Sequence, residues 1–455
     1  MADPVVLLAA TSALVGIGAY GLASALARAT KRVRNLRAVA EECGLTDIVV
    51  PSVAILQPRI VRGRSQPHAV SIREHRVVLD GETARIEIQL ASTSIVGDLA
   101  LQPERRLQDW QRSGKIDLGE PAFDAAYLLA GDGMRALALF DAGVRRRLMQ
   151  LHELADVELV AGSLTAGLRM ELPGTLRTVL PPLLSVARRL NARGSLQARL
   201  GRNARRDPVA AVRLYNLGCL IRECQQDEET RKTLHAACKD ESMAVRLRAA
   251  VALGPEGQAV LLDIAERATD DSCVPDAIEA LDGRIPPDRI GAILQRGIQA
   301  QRTAVGRACI RWLGRHGGHE CVATLTAILA GETPSLAAEA AAALGDMGAT
   351  TAETDLIAAL LRPPVEVHLA ASKALGRVGS AAAIPALGDA AAAHPSERDL
   401  QRAIHQAIAD IQARLVGAAP GQLSLSGSSS GQLSVAGGED GHLTIVPSPS
   451  KDGGD

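Results

Sequence analysis

The chain has 455 residues, more than one ordinary hydrophobic core accommodates, so two or more structural units are expected. A formal net charge of -1 excludes recruitment of nucleic acid or anionic lipid by a global field and leaves any electrostatic role to local clusters. Aromatic residues make up only 2%, which removes most platforms for stacking bases and gives the core to Ala, Leu and Val.

Val5 to Ala27 runs without a charged residue. At about 1.5 Å per residue such a run crosses a hydrocarbon core of about 30 Å. Arg28, Lys31, Arg32, Arg34 and Arg37 follow it, whereas only Asp3 and the amino terminus precede it. The positive-inside rule then predicts a single-pass membrane helix with its N-terminus outside and the bulk of the chain cytoplasmic, as at a bacterial inner membrane. A cleaved signal peptide would need a basic n-region and a shorter apolar run. Val33, Leu36, Val39, Ala40 and Cys43 continue at helical spacing up to Gly44, predicting an amphipathic helix at the membrane surface that completes an anchor over 1–46.

Residues 47–190 change period and read as an α+β domain. Ile48–Val50, Val53–Leu56, Val70–Ile72 and Val77–Leu79 read as extended, and Ala84–Leu90 alternates strictly after the Asp80-Gly81 turn. Phe123–Leu129 reads as a further strand and Met134–Leu154 as one helix. Val157–Val160 with Leu164–Leu172 reads as a hairpin, and Leu176–Leu190 as a second helix. Asp117, Glu120, Asp124 and Asp132 cluster in sequence, but acidic residues are ordinary at loops and caps and no His stands near them. No phosphate-cradling glycine loop or nucleophile elbow is present. An enzyme, or an enzyme accessory subunit, with its site in this domain is the alternative to a non-enzymatic chain.

Arg188, Arg189, Arg193, Arg199, Arg202, Arg205 and Arg206 crowd the segment around 191–206. As a solvated connector they need no ligand; as a patch they would make this an adaptor for anionic lipid or for nucleic acid. The scarcity of aromatic residues argues against nucleic acid.

From residue 207 to 416 one frame returns. Val245 to Leu253-Gly254 recurs at Val305 to Gly314, Leu336 to Gly345 and Val367 to Gly376, and anchors fall at Val212, Val245, Cys273, Val305, Leu336, Val367 and Leu400. An interval of about 30 residues fits a stacked helix–turn–helix unit. Second helices are predicted at Val322–Leu329, Thr354–Leu361 and Ala382–Ala391. Gly254, Gly314, Gly345, Gly376 and Gly379 are expected where helices stop, and Pro275 is expected to kink the unit at Cys273. Cys43, Cys219, Cys224, Cys238, Cys273, Cys309 and Cys321 read as buried apolar residues in a reducing compartment, and His316, His319 and Cys321 fall short of a zinc set.

The Val-Arg, Ala-Ala, Ala-Leu-Gly frame of 245–254 resembles HEAT repeats, in particular the short HEAT-like kind also seen in phycobilin lyases, over about 207–415. The resemblance implies an α-solenoid whose second helices line a concave protein-binding face. It also implies an Asp–Arg ladder, matched here by Asp207 with Arg213 and Asp240 with Arg246; Gly306, Ala337 and His368 replace the Arg in later repeats. Arg213, Arg246, Arg307, His368 and Arg402 are placed on or near the binding face. Lyase activity is not implied, and no cofactor, metal or small-molecule substrate is inferred.

The tail, 417–455, is rich in Gly and Ser, yet Leu423/Leu425, Leu433/Val435 and Leu443/Ile445 mark three short alternating strand-formers ten residues apart. They suit docking on a partner's sheet edge, against the alternative of a flexible low-complexity tail. The chain is therefore expected to be mainly α: a membrane-anchored scaffold binding proteins through its solenoid, preceded by a transmembrane helix and a small α+β domain.

Overall fold

The computed structural model describes residues 23–24, 27, 30–31, 33–50, 59–77, 81–89, 98–106, 114–169, 175–191, 194–268, 272–414, 423–425 and 433–435. The chain forms two compact units, Met1–Gly257 and Gln258–Asp455. Among the described residues no helix is long and apolar enough to cross a membrane. The run Val5–Ala27 lies outside them except at 23, 24 and 27, as do Arg28 and Arg32.

In the first unit, helix α1 (33–42) buries Val33, Leu36 and Ala40. Leu36 and Ala40 enter the same core as Leu45 and Val61, so this apolar face meets protein rather than a membrane surface. Lys31, Arg34 and Arg37 are exposed, and Arg37 Nε donates to Glu41 at 2.9 Å.

An eight-stranded sheet follows: β1 (Thr46–Val49), β2 (Arg59–Ser65), β3 (His68–Val77), β4 (Gly81–Gln89), β5 (Ala100–Pro103), β6 (Tyr127–Ala130), β7 (Ala155–Val160) and β8 (Ser163–Arg169), in the order β1-β2-β3-β4-β8-β7-β5-β6. Its pairs are antiparallel. The period of two puts Ile86 and Ile88 of β4, and Val157 and Leu159 of β7, wholly inside. Ala161 and Gly162, both at positive φ, make the two-residue turn between β7 and β8.

Several expectations change here. β3 is one continuous strand, and β2 is a strand that the periodicity missed. Pro121–Ala126 is a helix, α2, because Pro121 opens it and Asp124 pulls the chain round by accepting from Leu118 N and Gly119 N; only Tyr127–Ala130 is extended. The predicted long helix is two, α3 (Gly133–Leu139) and α4 (Ala142–His152), divided where Asp141 caps Val144 N. Helix α5 (Thr175–Leu190) packs Val179, Leu183 and Val186 into the core with α4.

Residues 191–206 are not a solvated connector. Helix α6 (Leu196–Arg206) packs on α3, on α7 (Ala210–Glu223) and on α8 (Glu228–Ala237), and α9 (Met243–Leu253) closes the unit. Leu200 and Ala204 are fully buried, and Asn203 Nδ2 donates to Leu137 O at 2.9 Å. One hydrophobic core thus runs from Leu36 to Ala249.

The second unit contains α10 (Gln258–Arg267), α11 (Val274–Leu281), α12 (Pro287–Gln299), α13 (Thr303–His316), α14 (Val322–Leu329), α15 (Pro334–Asp346), α16 (Glu353–Ala359), α17 (Val365–Val378), α18 (Ala383–Ala393) and α19 (Arg398–Arg414). The anchor helices α11, α13, α15, α17 and α19 pack on one another in succession, and each second helix packs on the following anchor. This is the predicted stack of helix pairs. Pro275 does not kink α11, because it stands in the first turn, where no N–H is needed; α11 ends at Asp282 and Gly283, both at positive φ.

The repeated glycines also do different work from that expected. Gly314, Gly345 and Gly376 lie inside α13, α15 and α17 and do not stop them. A Cβ on Gly314 would stand 2.8 Å from Ala343 Cβ; on Gly345, 2.9 Å from Ala374 Cα; on Gly376, 3.0 Å from Ala407 Cα. Each glycine admits the next anchor helix. Of the five only Gly254 (φ 60) and Gly379, which directly follows α17, stand at helix ends.

In the tail, β9 (Leu423–Leu425) pairs antiparallel with β10 (Leu433–Val435), in the register Leu423↔Val435. Two of the three tail motifs therefore pair with each other; Leu443 and Ile445 lie outside the described residues.

Candidate functional site

Neither expected Asp–Arg pair forms as such: two rungs are present, each displaced by one, and Asp240 takes Arg213 rather than Arg246. Asp207 does not pair its carboxylate with Arg213. It takes Arg145 of α4, whose Nη2 lies 2.9 and 3.1 Å from its two oxygens, both side chains being 1% exposed. Arg145 also donates to Glu120 and to Phe140 O. Burial opposes its charge, but the hydrogen bonds it donates to Asp207 and Glu120 hold its pKa above the ordinary value. Arg213 reaches forward, with Nε and Nη2 on Asp240 at 2.8 and 2.7 Å and Nη1 on Asp207 O at 2.8 Å. The hydrogen bond to Asp240 raises the Arg213 pKa against partial burial. The α+β layer thus supplies the first rung of the repeats.

This geometry corrects the predicted binding face. Arg213, Arg246 and His368 directly follow their anchor residues, as do Gly306 and Ala337. That position is buried at Arg213, Gly306, Ala337 and His368 and half-buried at Arg246, because it faces the next repeat. Arg307 and Arg402 lie one residue further on and are exposed: Arg307 Nε donates to Glu339 at 3.0 Å and Arg402 to Asp399 at 3.0 Å. All five stand on anchor helices rather than second helices.

His368 rests against His394 with ring centroids 4.9 Å apart. Burial, then the neighbouring His394, push its pKa below the ordinary value, while a contact with the Arg362 backbone opposes them. The unfolded chain therefore binds a proton first as pH falls. His368 contributes stability above about pH 6.5, the unfolded value, and that contribution is lost as pH drops from there toward the folded value. Melting curves at descending pH should fall more steeply for the native chain than for His368→Leu; parallel curves would remove the assignment.

The arginine-rich segment is dispersed. Arg199 is buried and donates to Arg189 O at 3.1 Å, and Arg189 pairs with Asp141 at 3.2 Å. Arg188, Arg202, Arg205 and Arg206 are exposed, and Arg193 lies outside the described residues. Of the acidic cluster, Glu120 pairs with Arg145, Asp124 holds the loop before α2, and Asp132 caps Arg135 N. Burial raises the thiol pKa of Cys309 to about 12, as it raises those of Cys219 and Cys238, which suits packing residues. Among the described residues no three metal-ligating side chains converge.

A cleft of about 730 Å³ opens in the first unit. Its α+β side carries Ile116, Met134 and Leu137 with Asp117 and Asp132; its repeat side carries Leu214, Tyr215 and Cys219 with Arg222, Glu223 and Arg248. It was not legible in sequence because its sides lie about 100 residues apart; the one local signal was Gly218 in mid-helix.

Residues 322–409 match the family model of HEAT repeats. This part of the chain is a HEAT-like repeat array. The human deoxyhypusine hydroxylase structure, in complex with glycerol, is 18% identical and covers 48% of this chain and 96% of its own, with a TM-score of 0.21. At that score the likeness decides neither fold nor activity. None of the curated proteins matches this chain.

Proposed function

We propose that this chain is a membrane-anchored, non-enzymatic scaffold that gathers other proteins at the cytoplasmic face through its HEAT-like repeats. The observation that carries the reading is the outward side of the second helices. Helix α14 has no charged residue and exposes Ala323, Thr324 and Ala327; α16 exposes Ala358 together with Thr354 and Asp355, and Leu361 just beyond it is 80% exposed. Stacked helix pairs present such a side as an extended surface, and exposed apolar area marks interaction sites. The uncharged run Val5–Ala27 and its basic flank support the anchor and its orientation. The self-pairing of two tail motifs supports their reading as strand-formers able to add to a partner's sheet edge.

Proximity labelling in the native cell tests this with the full chain against Ala327→Glu/Leu361→Glu. The charged variant should lose a common set of labelled proteins while remaining in the membrane fraction. An unchanged set would overturn the scaffold reading, and recovery of the native chain in the soluble fraction would overturn the anchor.

A further inference from the structure

We infer that the cleft of the first unit is a binding site for a short peptide segment of a partner protein, one that inserts a bulky apolar side chain flanked by a basic residue on one side and an acidic residue on the other. The inference goes beyond the scaffold reading, since no residue of the second-helix side contributes to this cleft.

Gly218 carries the first part of the argument. Glycine inside a helix costs about 1 kcal/mol relative to alanine, so a buried one needs a reason. Gly306, Gly314, Gly345 and Gly376 have one, since a Cβ there would strike the neighbouring helix. Gly218 is buried in the middle of α7, yet a Cβ on it would meet only Arg222 Nη1, at 3.9 Å. No neighbouring backbone demands this glycine; its missing side chain leaves the cleft open. Gly133 across the cleft likewise has nothing within 4 Å of a Cβ.

The lining identifies the occupant. The volume lies within the range of ligand sites, roughly 300–1,000 Å³. Ile116, Met134 and Leu214 are only half-buried, and Tyr215 is 44% exposed, so apolar surface waits for a cover. Its polar lining groups, Asp117, Asp132, Arg222, Glu223 and Arg248, stand around this apolar surface. Charge is divided between the sides. The α+β side brings two carboxylates: Asp117, which is exposed and also faces Lys115 Nζ at 3.8 Å, and Asp132, whose Oδ1, though not its second oxygen, caps Arg135 N. The repeat side brings Arg222 and Arg248 against Glu223, a net of +1 (two minus one). Among the described residues neither Arg222 nor Arg248 joins an ion pair. A Tyr–Arg–Met lining is the composition that peptide and protein interfaces favour. An apolar anchor between opposite charges matches both sides at once.

Fluorescence anisotropy on the full chain tests the site, using labelled Gly/Ser peptides with a central Leu-Leu or Ala-Ala and flanks of Lys/Asp, Lys/Lys or Asp/Asp. The Leu-Leu peptide with Lys/Asp flanks should bind best. Gly218→Leu should weaken it roughly tenfold or more, Gly218→Ala much less, and Arg248→Glu should move the preference to Lys/Lys flanks. Circular dichroism melts separate a blocked cleft from an unfolded one, and Arg248→Glu, at an exposed position, supplies the answer if Gly218→Leu fails to fold. Equal binding of Leu-Leu and Ala-Ala peptides, no binding of any, or preferences unchanged in Arg248→Glu would overturn the site. Peptide binding that persists while the labelled set is unchanged in Ala327→Glu/Leu361→Glu would leave the cleft standing and the scaffold reading fallen.

Discussion

Gly345→Ala is expected to destabilise the repeat array, although alanine is the better helix former and Gly345 lies in the last turn of α15. The gain in helix propensity is at most about 1 kcal/mol. Against it, the new methyl would lie 2.9 Å from Ala374 Cα and 3.0 Å from Ala374 Cβ, and Ala374 has no flexible end to swing away. Helix α15 would have to separate from α17, an overpacking cost of about 1–3 kcal/mol. Gly345 and Ala374 are both buried, so the separation also loosens Leu344 and Leu375 beside them. The comparison is Gly388→Ala on α18, where nothing lies within 4 Å of the new Cβ and the propensity gain stands alone. Thermal melts should order Gly388→Ala above the native chain and Gly345→Ala below it. Amide exchange in α15 and α17 should rise only in the second variant, because a stacked array loses stability where an interface between neighbours fails. If Gly345→Ala melted at or above the native temperature, the close approach would not be what the repeated Leu-Gly demands.

That pair of substitutions also shows what sequence can and cannot disclose. A repeat frame is legible because one local requirement recurs: small residues wherever anchor helices touch. The meaning of its glycine was misread, since a helix stop and a helix crossing both ask for glycine and only the neighbour 29 residues on, Ala374 for Gly345, separates them. β4 was legible because Ile86 and Ile88 alternate with Arg85 and Glu87. β2 was not, because Gly63 stands where an apolar residue would mark the buried phase; a Cβ there would press on Leu45 at 3.3 Å. Pro121 announced the start of α2, but the apolar Phe123–Leu129 run overrode it. The resemblance to HEAT-like repeats tied Asp207 to Arg213, six residues away, whereas the fold gives its carboxylate to Arg145, 62 residues earlier. The cleft stayed hidden for the same reason: its charges and apolar residues stand on α3 and α7, which pack together although about 80 residues separate them in sequence.

Arg145→Met should produce the larger loss of stability. It keeps much of the buried volume but strands two carboxylates. Asp207 is 1% exposed in its side chain and would retain only Val209 N, at 3.1 Å, as a donor. Glu120, 28% exposed, can turn to water. Breaking a buried pair by removing one partner costs about 3–5 kcal/mol, chiefly because the remaining charge stays dehydrated. Arg145 Nη1 also satisfies Phe140 O at 2.8 Å, where α3 ends and α4 begins, so the turn that separates those helices loses its donor. Asp207→Asn in the same chain removes the stranded charge, and the double variant should recover a large part of the loss although it restores no salt bridge. Urea melts of the single and double variants measure this directly. Losses that simply add would mean the two side chains act independently, and the buried rung would not be what joins the sheet layer to the first repeat. Arg213→Met offers the contrast one rung on: Asp240 keeps Ser242 N at 2.8 Å and is 9% exposed in its side chain, so its loss should be the smaller of the two.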